Sequence, residues 1–290
     1  MSKEYLVIGR TDGTTRNGSP FVNLKVTNLE GTENIAVWDV PKTAGPKVGQ
    51  TVIFMSIKDN GGKKSASNLD MTVGTFPVEG HPLYHLMPRP VKREEWDKCI
   101  GRLLSFCTDA QLRPIIEDFS EKLYRPYSEK PAATSVHHAF PGGLLNHTYQ
   151  MLNMLSGLYP TLPYAIKIER CILAILFHDY GKVYEYNREG ETQESMYLLG
   201  HIYISAHLLH NVLKEKGVDE REIDRIVHGV LAHHGQLEYG SPGMPCTQEA
   251  VIVTLLDNLS AKTDTIEGTG NMEHSFPLGT HVVKGTLTKR

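Results

Sequence analysis

Residues 171–182 read CILAILFHDYGK, in which seven apolar residues run up to a histidine and an aspartate. A helix that is apolar on every side belongs in the centre of a domain, so this stretch predicts a buried central helix. His178 and Asp179 lie at its C-terminal end, where an unpaired imidazole and carboxylate would be costly to bury. A divalent metal ion compensates both groups, because it binds neutral imidazole and ionised carboxylate together.

Four further segments place a histidine or an aspartate in a similarly apolar setting. His147 follows GGLLN at 142–146, His201 follows LLG at 198–200, His233-His234 precedes a glycine-rich loop, and Asp257 ends an apolar run. A backbone carbonyl can satisfy one buried histidine, but that explanation becomes poor when five segments need it. The set therefore predicts a metal site, and its size suits two ions bridged by one carboxylate.

The sequence around this set has the periodicity of helices from about residue 91 onward. Asp109 and Thr247 are suitable N-terminal caps, and Gly217 stands where a helix should stop. The candidate helices are 92–107, 109–123, 143–158, 163–179, 198–216, 219–233 and 247–264.

The first 75 residues instead alternate apolar and polar positions in short runs, as strands do. Five such short strands are typical of a small barrel, and an OB-fold is the leading interpretation. An SH3-like barrel and a generic β-domain remain alternatives. The runs are 5–9, 21–27, 34–39, 51–57 and a weaker one at 65–73.

These two patterns divide the chain into parts. The expected fold is multidomain α and β, with a five-stranded OB-like β-barrel at 1–75 followed by an all-α domain at 92–266. Residues 76–91 contain four prolines and are expected to be a linker. Residues 267–290 are expected to be a C-terminal tail.

Composition limits the function classes. The chain has 290 residues, 40% hydrophobic and 22% charged, with a net charge of −3, so the whole-protein charge does not indicate a nucleic-acid partner. No apolar stretch is long enough for a membrane span, and no signal peptide is evident. The four cysteines have no zinc-finger spacing and are expected to be reduced thiols in a cytoplasmic protein.

The ordered set of histidines and aspartates resembles the HD-domain metal-dependent phosphohydrolase superfamily. Longer strings are similar to the YhaM-type 3′-5′ exoribonucleases, which join an OB-fold to an HD domain. These strings are PAAT at 131–134, HHAFPGGLLNH at 137–147, FHDYGKV at 177–183, LLGHI at 198–202 and HHGQLEYGSP at 233–242. The resemblance is specific across 131–262 and much weaker across 1–75.

This resemblance implies hydrolysis of phosphodiester bonds from a 3′ end, giving nucleoside monophosphates. The implied cofactor is a pair of divalent ions, with Mn²⁺ leading and Fe²⁺, Co²⁺ or Mg²⁺ as alternatives. Asp179 would bridge the ions. His147, His178 and Asp257 would complete one ion site, and His201 with His233 or His234 the other.

The same resemblance suggests residues for catalysis and substrate binding. Asp179, Lys182 and His234 are the expected catalytic residues, because a lysine near the site suits a phosphate and His234 is available for proton transfer if His233 is the ligand. Lys182, Glu238 and Tyr239 are expected to approach substrate, although Lys182 could be a surface lysine and the other two could only close their loop.

The β-rich part has a plausible role in holding a single strand. OB-folds bind single-stranded nucleic acids with aromatic side chains that stack on the bases and basic side chains that follow the phosphate backbone. Lys25 and Trp38 are the expected contacts. In a barrel, however, most of Phe21, Trp38 and Phe54 are expected to be core residues. The expected partner is a single-stranded nucleic acid, with RNA favoured over DNA, and a homo-oligomer is plausible.

Two other functions are consistent with the residues. The chain could be a phosphohydrolase of nucleotides or cyclic (di)nucleotides, although the Gly-Tyr-Pro signature of the cyclic-dinucleotide enzymes is replaced here by EYGSP at 238–242. It could also be a nucleic-acid-binding protein with a degenerate metal site, against which the intact set of candidate ligands argues.

Overall fold

The protein is described here by a computed structural model that covers residues 3–41, 44–77, 80–87, 90–133, 138–186, 192–268, 272, 274–275 and 278–283. The chain forms two compact units. The first contains residues 1–89, 135–140 and 264–290, and the second contains 90–134 and 141–263. Parts of the expected linker and tail lie outside the described residues, and the expected domain boundaries stay predictions.

The first unit is built on a mixed sheet of seven strands in the order β5-β6-β3-β2-β1-β4-β7. Neighbouring strands are antiparallel except β3 and β6, which are parallel. A separate antiparallel pair, β8 and β9, lies near the C-terminus. The strands are β1 Lys3–Thr14, β2 Pro20–Asn28, β3 Gly31–Trp38, β4 Thr51–Phe54, β5 Lys58–Asn60, β6 Lys63–Ser67, β7 Met71–Val73, β8 His274–Ser275 and β9 Thr280–His281.

The core of this sheet follows the alternation seen in the sequence. On β2, Val22, Leu24 and Val26 are fully buried while the residues between them are partly exposed. They pack with Ile35 and Val37 of the neighbouring β3 and with further buried residues of the same cluster. One face of the sheet therefore forms the core and the other remains available for contacts.

The predicted combination of a strand-rich part and an all-α part is confirmed, but the barrel differs from expectation. The expected fifth strand is interrupted by a turn at Asn68–Asp70, where the Ser67 hydroxyl accepts a hydrogen bond from the Leu69 amide. An extra hairpin joins β5 to β6 through Gly61 and Gly62, both with positive φ.

The sheet is not a closed barrel, because no ladder joins its edge strands β5 and β7 among the residues that the structure describes. The OB-like organisation remains recognisable in the pairing. Strand β1 pairs with both β2 and β4, while β3 pairs in parallel with β6. Strand β4, which pairs with β1, is connected to β5, which pairs with β6, by residues 55–57.

The second unit is helical, and the last of its helices continues into the first unit. The helices follow the predicted ones closely, with two short additional helices between 182 and 198. They are α1 Arg93–Leu104, α2 Leu112–Glu129, α3 Gly143–Leu158, α4 Ile168–Phe177, α5 Lys182–Glu185, α6 Glu194–Leu198, α7 His201–Glu215, α8 Glu220–Leu231 and α9 Gln248–Gly268.

Helix α4 is the centre of this unit, as its apolar sequence predicted. All ten of its described positions except Arg170 are buried, and it packs against α2, α3, α7 and α8. It begins at Ile168 rather than at 163, because residues 159–161 form a separate 3-10 turn and Lys167 is extended. Glu169 is 2% exposed and accepts hydrogen bonds from the backbone amides of Thr108 and Asp109.

Two remaining sequence expectations concern membranes and cysteines. None of the described helices has the length and apolar character needed to cross a membrane. Cys99, Cys107 and Cys171 are buried free thiols, and Cys246 is an exposed one. Burial raises the pKa of Cys99 and Cys107 to about 12, so these thiols stay protonated at neutral pH.

Replacing the fully buried Ile172 of α4 by alanine is expected to lower the free energy of unfolding by about 2–5 kcal/mol, because it leaves a cavity in the central helix. Urea denaturation followed by circular dichroism measures this loss. Leu255→Ala, at a side chain that is 62% exposed, is the matched control and should change stability by no more than about 0.5 kcal/mol. Equal losses for both variants would contradict the central role of α4.

Candidate metal centre

Asp179 lies at the middle of a cluster formed by the predicted histidines and aspartates. It lies two residues after the end of α4 and is 2% exposed. Its Oδ2 atom is 3.3 Å from His178 Nε2 and 3.9 Å from His147 Nε2. Its Oδ1 atom is 3.4 Å from His201 Nε2 and 3.8 Å from His233 Nε2. Each oxygen therefore faces a different pair of imidazoles.

Two groups of three ligand-type side chains lie on the two sides of this carboxylate. His147, His178 and Asp257 form the first group, and His147 Nε2 is 3.0 Å from Asp257 Oδ1. His201, His233 and His234 form the second group. Within each group the candidate ligand atoms lie within 4.8 Å of one another, close enough to share one ion.

The helices bring these residues together from their ends and faces. His147 lies on α3, His201 is the first residue of α7, and Asp257 lies on α9. His233 and His234 follow the end of α8. The structure thus joins all seven residues of the predicted ligand set in one cluster, while their role as ligands stays a prediction.

Hydrogen bonds on the far side of the rings fix how three of these histidines are oriented. The Nδ1 atoms of His178, His233 and His234 lie 2.7, 2.6 and 2.7 Å from the carbonyl oxygens of Ile175, Val230 and Tyr239. A carbonyl oxygen only accepts hydrogen bonds, so each Nδ1 carries the hydrogen. Each Nε2 is then left with a lone pair, which is the form that binds metal.

The Nδ1 atom of His147 contacts a side chain rather than a backbone carbonyl. It lies 2.9 Å from Ser260 Oγ. The Ser260 hydroxyl donates its hydrogen to Gln150 Oε1 at 2.8 Å, which leaves its oxygen free to accept from His147. This chain of contacts directs His147 Nε2 toward Asp179 and Asp257.

Several buried atoms of the cluster have no hydrogen-bond partner in the described part of the chain. They are the Nε2 atoms of His178, His201 and His233 and the Oδ1 atom of Asp179. Buried polar atoms are rarely left unpaired, because desolvating them costs free energy. Divalent cations in the two groups would satisfy all four atoms, so the residues present fit a metal centre.

Electrostatics favours the protonation states that a metal needs. Burial raises the pKa of Asp179, but Lys182 and the surrounding histidines outweigh burial and hold that pKa well below its usual range. Burial also raises the pKa of Asp257, and its contact with His147 outweighs that effect. Burial lowers the pKa of both His233 and His234. At neutral pH these carboxylates are charged and these two imidazoles neutral.

The pKa of His178 is shifted in the opposite direction from those of His233 and His234. Burial lowers the pKa of His178, but the charge of Asp179 and the contact with that carboxylate outweigh burial, so its pKa is raised. The same negative charge that stabilises a proton on this ring attracts a divalent cation to its Nε2 atom.

The predicted catalytic and substrate-binding residues of this unit differ from one another in burial. Lys182 was expected near the site or on the surface; it is 8% exposed, and its Nζ is 2.7 Å from Asp179 Oδ2. Glu238 and Tyr239 lie in a 3-10 turn after His234 and are exposed. The Tyr239 carbonyl accepts the hydrogen bond from His234, so this turn is attached directly to the cluster.

Lys25 and Trp38 belong to the β-sheet unit. The Trp38 ring is 42% exposed and lies 5.2 Å from the ring of Phe21, centroid to centroid, on the neighbouring strand. Lys25 is half-buried and lies four residues after Phe21 on β2, so strand alternation places both on the same face. Phe54, by contrast, is a core residue.

Three residues around the cluster were missed in the sequence. Glu185 is 2% exposed, and its carboxylate contacts both the backbone amide and the ring of His201. Ser260 supports His147 as described above. Ser205 accepts a hydrogen bond from the Gly181 amide. Spacing could have found two of them, because Ser260 lies three positions after Asp257 and Glu185 three after Lys182, each on the same helix face.

Comparison with known proteins agrees with this geometry. The family model described as HD domain matches residues 144–262. This range includes every residue of the cluster described above. No solved structure matches the chain.

Three curated proteins named 3′-5′ exoribonuclease YhaM are similar to most of the chain. The one from Geobacillus sp. strain WCH70 is 30% identical over 279 residues, covering 91% of this chain and 83% of the relative. The one from Bacillus subtilis strain 168 is 28% identical, covering 91% and 86%. The one from Listeria welshimeri is 27% identical, covering 94% and 88%.

Gly181 is expected to be essential for the spacing of the cluster. A Cβ atom at this position would lie 2.4 Å from the backbone oxygen of His201, so alanine must push the start of α7 away from Asp179. We expect Gly181→Ala to lower the free energy of unfolding by about 1–3 kcal/mol and to reduce the metal content of the purified protein.

Elemental analysis after gel filtration measures the metal, and urea denaturation measures stability. Gly157→Ala is the matched control, because a Cβ there meets nothing within 4 Å and the position is exposed on α3. Wild-type metal content and stability in Gly181→Ala would show that this close contact does not set the spacing.

Proposed function

We propose that this chain, which belongs to the YhaM family of HD-domain 3′-5′ exoribonucleases, is a metal-dependent hydrolase that releases nucleoside monophosphates from the 3′ end of single-stranded RNA. The observation that carries the proposal is the position of Asp179. Its two carboxylate oxygens face two separate groups of ligand-type side chains.

Two divalent ions, with Mn²⁺ as the leading candidate, are assigned to this cluster. His147, His178 and Asp257 would hold one, and His201 with His233 the other, with Asp179 shared between them. When bound, two such ions polarise the scissile phosphate and activate a water for attack. Histidine-rich ligation favours transition metals over Mg²⁺, which prefers oxygen ligands.

The side chains around these ligands have separate roles in the proposal. Asp179 stays ionised because Lys182 lies against it, so Lys182 supports the carboxylate and adds positive charge near the phosphate. His234 is less buried than His233, and we assign it to substrate and proton transfer. The turn with Glu238 and Tyr239 is fixed to His234 and is assigned to contacts with the terminal nucleotide.

The β-sheet unit supports a polymeric substrate over a small nucleotide. Phe21 and Trp38 form an aromatic pair on an exposed face of β2 and β3, and Lys25 follows on the same strand. Aromatic side chains stack on the bases of single strands with little sequence preference, while basic residues follow the backbone. An enzyme for free nucleotides has no need of such a face.

The first test follows the reaction on RNA carrying a label at its 5′ end. With Mn²⁺, the wild-type protein should shorten the labelled strand progressively from its 3′ end. Asp179→Ala should reduce the rate by about 10³-fold or more, because it removes the shared ligand and with it several kcal/mol of transition-state stabilisation. Gel electrophoresis of timed samples measures the rate.

Asp224→Ala, at an exposed position of α8, is the matched control and should keep the wild-type rate. Circular dichroism and RNA binding in EDTA establish that Asp179→Ala is folded. Cleavage by folded Asp179→Ala at a near wild-type rate would overturn the proposed mechanism. Shortening of a DNA strand at the same rate as RNA would extend the substrate to both polymers.

The second test concerns the aromatic pair of the β-sheet unit. Trp38→Ala should raise KM for RNA oligomers by about 5–150-fold, because stacking contributes about 1–3 kcal/mol per base. It should leave hydrolysis of a small phosphodiester ester unchanged. Leu29→Ala, at another exposed apolar residue of the same sheet unit, is the control. Equal effects of Trp38→Ala on both substrates would exclude a role for this face in polymer binding.

A further inference from the structure

Glu185 is a buried carboxylate that contacts a single member of the metal cluster. It ends the short helix α5, six residues after Asp179, and is 2% exposed. Its Oε1 atom accepts a hydrogen bond from the backbone amide of His201, and its Oε2 atom lies 3.4 Å from His201 Nδ1. One carboxylate thus contacts both the helix start and the imidazole of the same residue.

His201 depends on this contact more than the other histidines of the cluster depend on theirs. His178 and His233 are oriented by backbone carbonyls three residues earlier in the chain, and each side chain is 1% exposed. The His201 side chain is 17% exposed, and being the first residue of α7 it has no carbonyl of a preceding helical turn to use.

The segment that contains Glu185 is also fixed directly to the start of α7. The Gly181 amide donates a hydrogen bond to Ser205 Oγ at 2.8 Å, and Gly181 lies so close to the His201 backbone that no Cβ fits there. Residues 179–185 therefore present two carboxylates to one imidazole. Asp179 Oδ1 lies 3.4 Å from Nε2, and Glu185 Oε2 lies 3.4 Å from Nδ1.

A neutral imidazole has one N–H and can satisfy only one of these two carboxylates. If the hydrogen is on Nδ1, it points to Glu185, and the Nε2 lone pair faces the lone pairs of Asp179. A cation held by His201 and Asp179 would replace that repulsion by attraction to both residues. A carboxylate partner on the opposite nitrogen also makes the ring a better donor to a metal.

We propose that Glu185 is a positioning residue that acts through His201 and sets the affinity of the ion held by His201 and His233. It fixes the hydrogen of His201 on Nδ1 and the direction of the ring. The ion held by His147, His178 and Asp257 is independent of it, because that group has its own supports at Ile175 and Ser260. The inference rests on the two-ion centre of the proposed function.

The test is a titration of full-length, chelator-treated protein with Mn²⁺, followed by calorimetry and by electron paramagnetic resonance. Glu185→Gln keeps the shape of the side chain, and its amide oxygen can still accept from the His201 amide. It loses the charged acceptor for Nδ1. We expect one ion to bind about 10–100-fold more weakly and the other to stay within about threefold of wild type. The signal of two coupled Mn²⁺ ions should give way to that of a single ion.

Glu169→Gln is the matched control. Glu169 is equally buried and also accepts backbone amide hydrogens, yet its partners Thr108 and Asp109 belong to no metal group. It should lower thermal stability while leaving both ion affinities unchanged. Glu185→Asp, which keeps the charge but withdraws it by one methylene, should give a smaller loss at the same ion and serves if Glu185→Gln does not fold.

A double-mutant cycle with His201→Gln tests whether Glu185 acts through that ring. Adding Glu185→Gln to His201→Gln should cause no further loss of ion affinity. Additive losses, equal weakening of both ions, or unchanged affinities in folded Glu185→Gln would each overturn the inference. The titration contains no RNA, so a selective loss in a protein that fails to shorten RNA would overturn the proposed function and leave this inference standing.

Discussion

The burial of Asp179 is the constraint on which the helical unit depends. A carboxylate that is 2% exposed at the end of an apolar helix needs compensation from its surroundings. Lys182 supplies one positive charge from the next turn. Four imidazoles, from α3, the start of α7 and the segments that follow α4 and α8, surround the rest of the carboxylate. The ends of α4, α7 and α8 and one face of α3 meet at this carboxylate, and each brings an imidazole to it.

Much of this arrangement was predictable because apolar helices make polar interruptions conspicuous. The run at 171–177 predicted α4, and each ligand-type residue interrupts a similar run. Glu185 escaped notice because it follows a polar stretch and its partner is a backbone amide as well as a ring. The direct contact of Lys182 with Asp179 was not predicted for a related reason, since a sequence does not show whether its Nζ turns inward to Asp179 or outward to solvent.

The β-sheet unit was harder to predict, because each strand is short and its partners are distant in sequence. The alternation of apolar and polar residues correctly indicated β2 and β3. It does not by itself show that Phe54 is a core residue and Trp38 an exposed one, which requires the register of the strands. The expected fifth strand failed at Asn68–Asp70, where a serine cap makes a turn locally more favourable than a continued ladder. The parallel pairing of β3 with β6 leaves no local signature in the sequence.

The carbonyl groups that orient His178 and His233 give the cluster an unequal tolerance to mutation. Ile175 and Val230 contribute main-chain atoms, so other apolar side chains at these positions leave the ring supports in place as long as the helix ends there. Glu185 does the same work with its side chain, and no other residue type supplies both oxygens at that distance. During sequence drift, the residues whose carbonyls orient His178 and His233 can change freely, whereas the orientation of His201 depends on the side chain at position 185.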